Sequence, residues 1–214
     1  MSSRPLLAKR AALDPRGGRR DDGPVSSFPI AEAQVSVDED TLRDVVAEPG
    51  PLARWCAAHP FDPRTIDGLR LLGRLDEAAI AARRALDAPG VPALLRAVRR
   101  LQYARVLHWQ GAFAAAAEQF DLAAEETGLE DPTSPSSLSV LATVFQHRAT
   151  CRFDQARAER AEGRPEQAQR LWDSALEDAR RALFMRERLG IAEPELLAES
   201  RRTVARLERR DLAA

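Results

Sequence analysis

The sequence predicts an all-α fold of antiparallel helical hairpins stacked into a short right-handed solenoid. Three observations carry this expectation. A glycine-hinged pattern recurs along the chain, and its clearest copy runs from Leu101 to Gly128. There Leu101, Ala104 and Leu107 recur at three-residue steps before Gly111, and Phe113, Ala116, Ala117, Phe120 and Ala123 continue the pattern after it. Such spacing gathers apolar side chains onto one face of each of two helices folded back at the glycine. Apolar residues make up 44% of the 214 and aromatics only 5%, so the core is built largely from Ala and Leu, which lets helices approach closely. Beyond Pro24 to Val37, no run alternates with β-branched residues, so strand signals are nearly absent.

Residues 1–37 hold Gly17-Gly18, Arg19-Arg20, Asp21-Asp22 and Ser26-Ser27 without sustained periodicity, and read as a disordered tail preceding a helical domain over 38–212. Asp38 to Glu48 is expected as a first short helix, acidic at its start, with Leu42, Val45 and Val46 inward. A second, Pro51 to His59, carries Leu52, Trp55 and Cys56 on one face. Thr65 to Leu72 leads to Gly73, and Asp76 to Leu86 returns, giving a hairpin over about 60–89. Val91 to Gln110, with Pro92 in a first helical turn, and Ala112 to Thr127, capped by Gly128, form the hairpin over 91–128. After a turn-rich loop from Leu129 to Ser137, the third hairpin over 138–190 consists of Leu138 to Glu162 and Pro165 to Leu189, with Gly190 as its cap. A charged helix from Glu193 to Asp211, with Leu196, Leu197, Val204 and Leu207 in a narrow apolar stripe, is suited to cap the stack.

Three segments share one template: Gly, Ala five residues on, an apolar residue four further, and Ala three further. These are Gly73, Ala78, Ala82 and Ala85; Gly111, Ala116, Phe120 and Ala123; and Gly163, Ala168, Trp172 and Ala175. The glycine lets the chain reverse, the small alanine admits the preceding helix, and the larger residue fills the gap between hairpins. The pattern resembles the tetratricopeptide repeat, whose second helix carries Gly, Ala, an aromatic and Ala in this order. The glycines here lie 38 and 52 residues apart, against roughly 34 for that family. The third copy also fits a second register, with Ala156 at the hinge position and Ala175, Ala179 and Ala182 at the small positions. Both registers fit if each helix gained about two turns at the hairpin tip, a heptad-sized insertion that preserves the facing surfaces. A protruding third hairpin is therefore expected.

Function is constrained more by exclusion. Charged residues are 30% of the chain, yet the formal net charge is -1, so no whole-molecule field draws nucleic acid or an anionic membrane. The arginine cluster Arg201, Arg202, Arg206, Arg209 and Arg210 is interrupted by Glu195, Glu199 and Glu208, the pattern of a solvated, salt-bridged face. No run approaches the roughly 20 apolar residues of a membrane span, and nothing marks a secretory leader, so a cytoplasmic location is expected. Cys56 and Cys151 form no CxxC unit and read as free buried thiols. His147 and Cys151 stand four apart on one helix, but a third ligand is not visible, so no metal or other cofactor is expected. His108 is a candidate base without a nucleophile spaced to use it, and no phosphate loop, GxSxG or dinucleotide motif occurs; the chain is not expected to be an enzyme.

The expected function is a non-catalytic protein-interaction module. The resemblance implies that the leading helices line a concave groove that receives a peptide or partner domain. On the middle leading helix Leu101, Arg105, His108 and Trp109 project roughly one way, and on the third Gln146, Thr150, Phe153 and Arg157 continue that surface. An aromatic flanked by arginines suits an anchor beside a carboxylate. The alternative that Trp109 and Phe153 pack between helices stays open. Members of the family that hold acidic chaperone tails use a Lys/Asn clamp, whereas this chain has no Asn and only Lys9. A regulatory domain binding a small ligand or nucleic acid is the alternative function, and a homodimer that hides an exposed edge also stays open.

Overall fold

The computed structural model describes residues 33–129, 131–189 and 194–209. Residues 1–32 of the tail expected over 1–37, the Gly190 cap, and Glu193 and Asp211 at the ends of the last helix lie outside them. Among the described residues, a two-stranded antiparallel hairpin, β1 (Val35–Val37) and β2 (Asp44–Val46), precedes eight helices. These are α1 (Pro49–Ala58), α2 (Arg64–Leu71), α3 (Leu75–Leu86), α4 (Ala93–Trp109), α5 (Phe113–Thr127), α6 (Pro135–Ala161), α7 (Pro165–Leu189) and α8 (Pro194–Glu208). The fold is mostly helical. Each helix packs on the next in sequence, and α2 also meets α4 and α4 also meets α6.

The expected helix from Asp38 to Glu48 is not formed. Asp38 does not open a helical turn; its Oδ1 accepts hydrogen bonds from the Asp40 and Thr41 amides at 3.2 and 2.7 Å and from the Thr41 hydroxyl at 2.7 Å. That closes a tight loop, and Leu42 completes it with a left-handed φ of 58°. The valine-rich strands then pair in register, with Val35 opposite Val46 and Ser36 opposite Val45. Ala33 and Val35 are buried, so the ordered domain begins before the boundary expected at residue 38.

The three hinge glycines, Gly73, Gly111 and Gly163, share φ values of 72°, 76° and 76°, a region that suits glycine alone at no steric cost. The template residues behind them are core: Ala78, Ala82, Ala116, Phe120, Ala123, Ala168, Trp172 and Ala175 are all buried, and Ala85 is half-buried. Where α1 crosses α2, a Cβ on Gly68 would meet the Cys56 sulfur at 2.5 Å, so only glycine admits that crossing.

α6 and α7 run 27 and 25 residues without interruption, against 17 and 15 for α4 and α5. Ala156, Ala179 and Ala182 are as buried as Ala168 and Ala175, so both sequence registers lie on the same facing surface. His108 precedes Gly111 by three residues, whereas its partner Asp154 precedes Gly163 by nine. The six-residue difference carries the third hinge about 9 Å beyond the second. α8 lies along α7, where Trp172 Nε1 donates to the Leu207 carbonyl at 3.0 Å.

Candidate functional site

The eight residues expected to line a groove do converge between α4 and α6, but the surface they form is covered by the chain itself. Leu101, Phe153, Gln146 and Thr150 are buried. Leu101 is packed among Ala104, Leu107 and Phe120. Phe153 is fully buried, edge-on to Trp172 with ring centroids 5.2 Å apart. Gln146 is 1% exposed beneath α8, its amide donating to Thr203 Oγ1 at 2.6 Å and accepting from Ser200 Oγ at 2.8 Å. Thr150 is buried and turns its hydroxyl back to the His147 carbonyl at 2.9 Å. Leu101 shares the face of Ala104 and Leu107 that packs on α5, whereas Gln146 and Phe153 are covered by α8 and, for Phe153, by Leu42 of the β1–β2 hairpin, long-range contacts not written into the local periodicity of α6.

The remaining four residues build a charged seat. Arg105 on α4 and Arg70 on α2 both place Nη2 2.9 Å from Asp44 Oδ2 of β2. Asp67, one turn before Arg70, takes Arg105 Nη1 at 2.8 Å and Arg70 at 3.3 Å, and its other oxygen accepts from Gln102 at 3.1 Å. Two arginines and two aspartates thus neutralise each other. Trp109, half-buried, forms the wall of this seat, with the Arg70 guanidinium 4.7 Å and the Arg43 guanidinium 5.7 Å from its ring centroid. Beside it, Asp154 Oδ2 accepts from His108 Nε2 at 2.9 Å and from Arg43 Nε at 2.8 Å, while Arg157 stands 4.0 Å from Oδ1.

Burial would raise the Asp44 and Asp67 carboxyls, but the paired guanidiniums more than offset it and hold both below the usual carboxylate range. Burial lowers Arg70, as does neighbouring Arg105, and Arg70 Nη1 has no hydrogen-bond partner. His108 is lowered chiefly by burial, against the pull of Asp154, which favours the neutral ring donating from Nε2. The Cys151 thiol is pushed by burial up to about 12, which leaves it unreactive near His147. Among the described residues, no group of three His, Cys, Asp or Glu side chains is arranged to hold a metal ion, and no helix is long and apolar enough to cross a membrane.

The seat can therefore grip a carboxylate through two guanidiniums beside an indole. Sequence reasoning found Arg105 and Trp109 but missed Asp44, Asp67, Arg70, Arg43 and Asp154. A signal existed for two of them: Asp67 and Arg70 are charged residues inside the otherwise apolar run from Ile66 to Leu72. Comparison of the chain with family models, with curated proteins and with solved structures gave no match.

Proposed function

We propose that the chain is a non-catalytic protein-interaction module, built in the manner of a tetratricopeptide array, whose seat between α2, α4 and α6 takes a carboxylate-bearing segment of a partner protein. One observation carries the reading: Asp44 sits between Arg70 and Arg105 beside Trp109, with the geometry that an acidic partner residue would adopt. The hairpin that delivers it has little stability of its own. Its strands are three residues each, a length that is marginal without tertiary support. Leu42 holds a left-handed backbone at a cost of about 1–2 kcal/mol. A partner segment with a well-placed carboxylate competes with such an occupant.

The test is a crosslinked pull-down from the native cell with three full-length forms: wild type, Asp44→Asn to loosen the occupant, and Trp109→Ala/Arg105→Gln to remove the seat. Each form must first show unchanged helicity. A protein enriched by Asp44→Asn over wild type and lost by the double variant supports the reading. Equal recovery by all three places the interaction elsewhere on the chain and refutes the seat.

A further inference from the structure

Between the β1–β2 hairpin and α8 lies a partly enclosed cavity of about 110 Å³. Val37 and Leu42 supply apolar wall from the hairpin, and four ionisable side chains line it: Glu39 from the hairpin loop, and Glu199, Arg202 and Arg209 from the far side. Glu199 is 8% exposed, and among the described residues its carboxyl has no hydrogen-bond or ion-pair partner. Arg202 and Arg209 also have no ion-pair partner among the described residues. Other buried polar groups on this side are satisfied: Arg186 donates to the Leu196 carbonyl and to Ser200 Oγ at 2.7 Å, and Gln146 bridges Ser200 and Thr203.

A nearly buried carboxyl that takes no direct hydrogen bond, and is offset only by the fields of Arg186, Arg105 and Arg202, costs stability. Burial, with Asp44 nearby, also pushes Glu199 above its ordinary range, against the pull of Arg186, Arg105 and Arg202. A wholly anionic ligand would leave Glu199 unpaired, and a wholly cationic one would face Arg202 and Arg209. A ligand carrying both charges satisfies all three. The volume is somewhat below the roughly 150 Å³ of a cavity that takes benzene, which limits the ligand to a compact aliphatic body.

We propose that this cavity binds a small zwitterion of the α-amino-acid class, its ammonium group on Glu199, its carboxylate on Arg202 and Arg209, and its side chain against Val37 and Leu42. Because the apolar wall belongs to the hairpin and Glu199, Arg202 and Arg209 to α8 and the residue after it, the bound ligand ties the two together. The site is complete only while Asp44 holds the hairpin at Arg70 and Arg105, so ligand binding here and occupation of that seat by a partner oppose each other.

The test is an NMR titration of the full chain with L-alanine, L-threonine and L-valine, and with isobutylamine and isovalerate, which each keep only one of valine's charges. At least one amino acid should bind with an affinity of about 1 mM, as expected for so few ligand atoms, and shift the Leu42 and Glu199 amides together. Glu199→Gln should weaken it at least tenfold. Ala205→Trp, on the exposed rim of the cavity, should abolish it without touching the core. The proposal is overturned by saturation with none of the three amino acids, by a single-charge analogue binding as well as valine, or by unchanged binding in both variants.

Discussion

Asp44→Asn preserves the shape of the hairpin while removing one charge from the Arg70, Arg105, Asp44 and Asp67 quartet, so a neutral cluster becomes one with an excess positive charge. Breaking a buried ionic network by removing one partner costs about 3–5 kcal/mol. Here the Asp44 and Arg105 side chains are 15% and 17% exposed, so water screens part of the imbalance, and about 2–3 kcal/mol is the fitting range. The loss falls on docking of the hairpin and not on the helical stack, because α4 and α5 keep their own apolar cluster around Phe120. Native-state hydrogen exchange reads this directly. The Asp38 and Ala47 amides bond across the hairpin to Arg43 and Gln34 carbonyls at 2.8 and 3.1 Å. They should exchange about 30- to 150-fold faster in the variant, the factor that 2–3 kcal/mol implies, while amides around Phe120 change little. Equal acceleration in both places would mean that the hairpin belongs to the cooperative core and is not separately displaceable. No acceleration would mean that the quartet does not hold it.

His108 and His147 are both held below the ordinary imidazole value of 6.5, by burial first and, for His147, by the nearby Arg105, Arg70 and Arg186. A depressed histidine gives stability that is full above its unfolded value and lost as pH falls, so Tm should drop from about pH 7.5 to about 5.5, and His147→Gln should flatten that slope. Glu199, held above its usual value, acts in the opposite sense and is common to both proteins, so equal slopes would refute the assignment to His147. Phe153→Ala should cost about 3–5 kcal/mol, visible as a Tm fall of at least about 6 °C, because the ring is wholly buried against Trp172. A loss near zero would restore Phe153 to an open surface. Gly68→Ala should destabilise by about 1–3 kcal/mol through its clash with Cys56 Sγ, and Cys56→Ala should recover part of that loss in the double variant. Strict additivity in chemical denaturation would show that the two do not meet.

The parts of the fold that were legible are those written in short-range spacing. Gly73, Gly111 and Gly163 mark reversals because a single residue type tolerates their backbone, and the alanines that follow mark faces through helical periodicity alone. The hairpin was not legible: three-residue strands give too little alternation to outweigh an acidic start that suggests a helix, and an aspartate such as Asp38 suits a helix start and a loop-closing acceptor equally until its partners are seen. The seat was half legible for a related reason. Arg105 and Trp109 share one helix face, but Asp44 lies 61 residues from Arg105, and nothing local to either residue specifies the other.

The long α6–α7 hairpin has a consequence for how the chain reaches its native state. Ala168, Ala175 and Ala182 stand seven residues apart and are all without exposed surface, so sliding α7 by one heptad along α6 would again set alanine against the same facing positions. What separates the native alignment from that neighbour is a pair of residues that do not repeat. Trp172 would give way to Pro165 or Ala179, and the buried Asp178, which receives Arg148 at 2.8 Å and Arg152 at 2.6 Å, would give way to Leu171 or Met185. The two act as keys in an otherwise periodic zip. Removing both charge and bulk at these positions should leave a helical chain that folds into two alignments, one of them a slowly corrected trap.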